Sequence, residues 1–245
     1  YGIAIVEEGI ELRKAGIKKD ILILGYTHYH HFEELAKYDI RPSIFQYSAA
    51  LELSNEGLRQ EKIIPIHIKI DTGMGRLGLP CNEEGLDEIV KISKLEGIKI
   101  EGLFSHFANA DEIDKTSAKK QLEEFLSTVK LLEEKDIYIP IKHISNSAGI
   151  IDIPEANLDL VRCGIATYGL YPSNDVKHTN VELQPAMTLK THISYVKEVE
   201  AGVGISYGST YITDKRTKIA TIPLGYGDGY PRNLDQAQAL DEWMS

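Results

Sequence analysis

A chain of 245 residues, 42% hydrophobic and 26% charged, has the balance of a globular protein and is long enough to bury a sizeable core. Its 37 acidic against 27 basic residues give a formal charge of −10, which argues against non-specific binding to nucleic acid or anionic membrane yet leaves room for a local basic pocket. Cys81 and Cys163 match no metal spacing and read as reduced thiols of a cytoplasmic protein, and no apolar run reaches the length of a membrane span.

Short apolar runs at residues 2–6, 21–24, 43–47, 64–70, 98–104, 140–145 and 158–163 read as buried parallel strands. Between most of them lie stretches of helical period with charged outer faces, at 7–15, 32–38, 48–59, 83–95 and 115–135. The last carries Leu122, Phe125, Leu126, Val129 and Leu132 as one apolar stripe. This alternation predicts βαβ units in a parallel sheet, either doubly wound or rolled into a barrel. Polar residues follow several different strands: Asp71-Thr72-Gly73, Ser105-His106, Ser145-Asn146-Ser147 and Arg162-Cys163-Gly164. Sites assembled from many strand ends are characteristic of barrels. No Gly-x-Gly-x-x-Gly follows the first strand, as a dinucleotide fold would require. The expectation is α/β: a (β/α)8 barrel over residues 1–184 that lacks its first strand-helix unit. From about Pro185 the runs at 188–199, 211–212 and 218–223 alternate apolar with polar residues, and Gly202, Gly204, Gly208, Gly225, Gly227 and Gly229 punctuate them. Residues 185–245 read as the start of a β domain. It ends in residues 236–245, which read as a short helix unrelated to those strands.

The residues that suggest chemistry sit at these strand ends and loops. Arg76 follows a strand and two glycines, and its planar guanidinium suits a carboxylate or phenolate oxygen. His106 stands between Phe104 and Phe107. Ser147 opens a helix, where hydroxyls and free N–H groups receive phosphate. Arg162 lies inside an apolar strand, which is costly unless the charge is paired or functional. Gly164 and Ile165 follow it, and a glycine lets an anion approach the backbone. Tyr207 and Tyr226 occupy Gly-rich loops. Singly, each has an ordinary reading as a surface, core, capping or packing residue. Together they fit one anionic aromatic cofactor at a barrel mouth.

Asp71-Thr-Gly-Met-Gly-Arg-Leu-Gly78, Val161-Arg-Cys-Gly-Ile-Ala-Thr-Tyr-Gly-Leu170, Ile205-Ser-Tyr-Gly-Ser-Thr-Tyr211 and Gly225-Tyr-Gly-Asp-Gly229 resemble, in order and spacing, the alanine racemases. These are pyridoxal 5'-phosphate isomerases of fold type III, and the likeness runs from Tyr1 to about Arg232. It implies a (β/α)8 barrel, a C-terminal β domain, and a head-to-tail homodimer that interconverts L- and D-alanine for cell-wall precursors. By motif, Tyr207 matches the family's base on one face of the substrate. Arg162 matches the arginine at the pyridine nitrogen, with His143 in the position that supports it. His106 matches the histidine against the cofactor ring, and Arg76 the arginine near the phenolate oxygen. Lys69 matches a lysine that is carbamylated in some members. Ser147, Gly164, Ile165 and Tyr226 match phosphate contacts. Two motifs of the family are absent: the Val-x-Lys-Ala-Asn-Ala-Tyr-Gly-like segment with the lysine that bonds to the cofactor, and a later Met-Asp pair lining the substrate pocket. The expectation is therefore a chain cut at both ends, inactive alone, with a gap beside residues 2–6. The same motifs also occur in serine racemase domains of the vancomycin-resistance type. Small non-catalytic pyridoxal-phosphate barrels are a further alternative, although they lack the Tyr207 segment.

Overall fold

Apolar runs too short for helices and rich in isoleucine become parallel strands in the computed structural model, which describes residues 1–177 and 179–230. The chain divides into two units after Ala186.

In the first unit, β1 (Gly2–Ile3) leads through α1 (Val6–Lys14) to β2 (Leu22–Ile23). Then follow α2 (Phe32–Tyr38), β3 (Ser43–Ile44), α3 (Tyr47–Arg59) and β4 (Ile64–Asp71). A two-residue strand β5 (Leu79–Pro80), α4 (Glu83–Ile92), β6 (Ile98–Phe104), α5 (Thr116–Glu133), β7 (Ile141–His143) and α6 (Ser147–Asp152) complete the series. The strands β3, β4, β6 and β7 form one parallel sheet in that order, and β5 pairs with the end of β4. β1 pairs with β2 in parallel, and a bridge from Leu22 to Arg41 links β2 to the approach of β3. The result is an open part of a barrel.

Two faces of β4 do different work. Ile64, Ile66, Ile68 and Ile70 join Leu53, Ile89 and Phe125 of the helices in the apolar core. His67 and Lys69 alternate with them and are equally buried, so their side chains lie on the opposite, interior face. The pairing of β4 with β6 slips by one residue between Ile66 and His67. Ile66 opposes Ile100, His67 opposes Gly102, and Glu101 is the extra residue. A bulge of this kind changes the phase of a strand. Glu101 and Phe104, three apart, thus both reach the His67 side.

The expected seventh strand at residues 158–163 is not a strand. Its backbone donates only twice to the neighbouring segment, from Asp159 N to Lys142 O (3.1 Å) and from Arg162 N to Ser145 O (3.0 Å). An apolar run makes a ladder only where a partner supplies bonds along its length, and this segment lies at the sheet's edge. β1 occupies the other edge. A cavity of about 720 Å³ lies between them, lined on one side by Gly2, Leu22 and Leu24 and on the other by Val161, Arg162 and Gly164. This is the gap expected beside residues 2–6. The helices begin and end within a few residues of expectation, except that α4 stops at Ile92.

The second unit, from Met187, pairs β8 (Tyr195–Val199) with β11 (Thr217–Thr221) antiparallel. It also pairs β9 (Gly204–Ile205) with β10 (Tyr211–Ile212). Residues 188–194, expected as strand, are not one; only Ser194 is tied to Thr221, by its backbone N–H and its hydroxyl. Buried Thr213 organises the unit, donating from Oγ1 to Glu200 O (2.7 Å) and accepting from Val203 N (3.0 Å). The helix expected at 236–245, like Arg232, lies outside the described residues. No helix among the described residues is long and apolar enough to cross a membrane.

Candidate active site

The interior face that β4, β6 and β7 share is polar, and Arg162 is its focus. Its Nη1 donates to His143 Nδ1 at 2.5 Å. Its Nη2 donates to Ser105 O (2.6 Å) and Ile144 O (3.0 Å) and faces His106 Nδ1 at 3.2 Å. The guanidinium is thus held by two imidazoles and two carbonyls. Burial lowers its pKa to about 10, which still leaves it a cation at neutral pH.

His143 is fully buried and stacks on Phe104, with ring centroids 4.7 Å apart and planes 2° from parallel. Burial, then the Arg162 charge and His67, push its pKa down to about 2. Burial, then Arg162, Arg76 and Lys69, push His106 down to about 4. Both imidazoles are therefore neutral at physiological pH. Lys69 donates to Leu24 O (3.4 Å), and its ammonium lies 5.2 Å from the centroid of the Phe104 ring. Burial, with Arg76 and Arg162 nearby, lowers its pKa to about 8. The region is electropositive although the whole chain carries −10.

Ser147 is buried as the first residue of α6, but the helix cap is its neighbour. Asn146 accepts from Gly149 N at 3.0 Å, so the capping role considered for Ser147 belongs to Asn146. This frees Ser147 Oγ to accept from Gly164 N (3.0 Å) and Ala166 N (3.3 Å), leaving its own O–H as a donor. Gly164 has no atom but that Oγ within 4 Å of where a Cβ would stand. Ile165 opens the 3-10 turn Ile165–Tyr168.

The structure thus brings His106, Ser147, Arg162, Gly164 and Ile165 together around the cavity of about 720 Å³, with His143 immediately behind. Arg76 is exposed and lines an adjoining cavity with Lys69. Tyr207 and Tyr226 belong to the second unit, where they are 76% and 62% exposed.

Behind Arg162 and His143 a column continues through His67, Glu101 and Arg41, which the sequence does not single out. His143 Nε2 lies 2.9 Å from His67 Nδ1, and His67 Nε2 lies 3.3 Å from Glu101 Oε2. Arg41 Nε donates to the same carboxylate at 2.6 Å, and Arg41 pairs with Asp20 at 2.9 Å. The His67 hydrogen bond, aided by Arg41 and opposed by burial, lowers the Glu101 pKa to about 2. Polar residues at 67, 69 and 71, alternating with isoleucines in a buried strand, are the signal that could have exposed this column.

Comparison with known proteins agrees with the sequence. The alanine racemase N-terminal domain family matches residues 1–172, and the alanine racemase C-terminal domain family matches residues 186–242. An alanine racemase of Clostridium perfringens (strain SM101) is 49% identical over 232 residues, which are 95% of this chain and 60% of that protein. The solved alanine racemase of Clostridium difficile 630 is 44% identical with a TM-score of 0.84, covering 94% of this chain and 60% of that one. Its complex with cycloserine gives 43% and 0.80 over the same shares. The chain spans about 60% of the length of such relatives.

Proposed function

Because the chain belongs to the alanine racemase family, we propose that it carries most of the cofactor-binding face of an alanine racemase, with pyridoxal 5'-phosphate as cofactor and L- and D-alanine as the interconverted substrates. The observation that carries this reading is the setting of Arg162. A permanent cation, bonded to a neutral imidazole and two carbonyls beside a second neutral imidazole, is a donor directed at a neutral acceptor such as a ring nitrogen.

The remaining residues fit the same group. Ser147 offers a hydroxyl to a phosphate, and Gly164 leaves room for one at the backbone. Arg76 and Lys69 add positive charge beside the cavity. The volume of about 720 Å³ suits a small aromatic ligand. Bound there, pyridoxal 5'-phosphate supplies the electron sink that lets an α-proton leave an amino acid. Arg162 would hold the ring without donating its proton, leaving a weaker sink that limits side reactions. Neutral His106 can accept or pass a proton without first losing one. From the second unit, Tyr207 is the proposed base for one substrate face and Tyr226 a phosphate contact. The working form we propose is a homodimer.

Adding pyridoxal 5'-phosphate to the purified chain and following its absorbance tests the reading. Saturable binding is expected, weakened about tenfold or more by Ser147→Ala or by Arg162→Met, which corresponds to about 1.4 kcal/mol. Affinity unchanged in both variants overturns the assignment.

A further inference from the structure

The column behind Arg162 has a direction that the donors and acceptors at its ends impose. Arginine only donates, so His143 must present a bare Nδ1 to Nη1, 2.5 Å away. The proton of His143 is then on Nε2, where it points at His67 Nδ1 across 2.9 Å. His67 must accept there and carry its own proton on Nε2, facing Glu101 Oε2 at 3.3 Å. An ionised carboxylate only accepts, so the chain closes without conflict. Arg41, donating to the same carboxylate and paired with Asp20, holds Glu101 in that ionised form.

We infer that Glu101 and Arg41, at the far end of this column, are positioning residues for Arg162: they fix both imidazoles as Nε2–H tautomers, so that His143 always offers Arg162 an acceptor.

The packing supports a built wire. His67 and His143 are 2% and 0% exposed. Phe104 stacks flat on His143 and meets His67 edge-on, with centroids 6.5 Å apart. Gly102 opposes His67 in the register and leaves space for its ring. Were the carboxylate removed, His67 could carry its proton on either nitrogen. A proton on His67 Nδ1 would meet His143 Nε2–H donor to donor. Relief by flipping His143 would turn an N–H against Arg162, and the guanidinium would lose its closest partner. The inference concerns the chain's own hydrogen bonds and stands whichever ligand Arg162 receives.

Nitrogen NMR of the 15N-histidine-labelled chain reads the tautomers directly, with His67 and His143 assigned by single substitutions. In the wild type at about pH 8 both should carry one proton, on Nε2. Glu101→Ala should give mixed or Nδ1–H signals at both residues, while Glu101→Gln, which keeps an acceptor oxygen, should restore the wild-type pattern. A wild-type proton on His143 Nδ1 would overturn the inference, as would unchanged tautomers in Glu101→Ala. Should Glu101→Ala not fold, Arg41→Met leaves the wire but loosens its anchor. The pH at which the Nε2–H pattern breaks down in acid should then rise by about one unit or more, and a pattern that does not move counts against it.

Discussion

Gly102 stands where a side chain would run into the imidazole of His67, because the two residues oppose each other in the β4–β6 register and a Cβ would collide with Nδ1, Cε1 and Cγ. The ring is fully enclosed, so it cannot move aside into solvent. Gly102→Ala should therefore destabilise the chain by about 1–3 kcal/mol, the range for overpacking a filled interior. Chemical denaturation measures this, and a wild-type midpoint and slope would contradict it.

Acid should unfold this protein earlier than its carboxylates alone would dictate. In the unfolded chain His106 and His143 take up a proton near pH 6.5, whereas in the folded chain they resist until about 4 and about 2. Between those limits the unfolded state binds more protons. The stability these groups contribute is thus complete above about pH 6.5 and is lost as pH falls. Each histidine can add up to about 1.4 kcal/mol per pH unit to the slope, with the less buried His106 contributing less. Urea titrations at stepped pH should show the decline beginning above pH 5, and His106→Gln should flatten part of it.

Lys69 should be the lysine most reactive towards carbon dioxide. With a pKa near 8, about a tenth of it is neutral at pH 7, against well under a hundredth for an ordinary lysine. In 13C-bicarbonate a lysine carbamate carbon signal is expected, absent from Lys69→Met. Such a signal surviving in that variant would place the chemistry elsewhere. A carbamate would replace one positive charge beside Arg76 with a negative one.

Tyr207→Phe tests the role proposed for that residue as a base. In a full-length protein with the proposed racemase activity, α-deuterium exchange should fall by about 10²-fold or more for one enantiomer of alanine, with a much smaller loss for the other. Equal losses would mean that Tyr207 serves both faces or neither.

The sequence displayed the site's rim better than its depth. Arg162 was visible because a charge in an apolar run demands a reason, and Ser147 and Gly164 because polar and small residues cluster where strands end. Glu101, His67 and Arg41 were not. Their meeting depends on a register slip between two strands whose paired residues are 34 or 35 apart in the chain, and no local pattern encodes that. Asn146 and Ser147 show a smaller ambiguity: both can cap a helix, and only the three-dimensional turn decides that Asn146 does so while Ser147 binds Gly164. Residues 158–163 have the composition of a strand, but a strand is a relation to neighbours, and at the sheet's edge this segment has few.

The slip at Glu101 also bears on which changes β6 can accept. A shift of phase cannot be reversed by exchanging one side chain for another; it requires the gain or loss of a residue. Exposed Lys99 should thus tolerate many replacements, while a carboxylate on the His67 side depends on the extra residue at 101. Deleting Glu101 would leave Ile100, Gly102, Leu103 and Phe104 opposite the same partners on β4, as a regular ladder, and would remove only the bulge and the carboxylate it adds to the His67 side. The column behind Arg162 is stored in the length of a strand as much as in the identity of its residues.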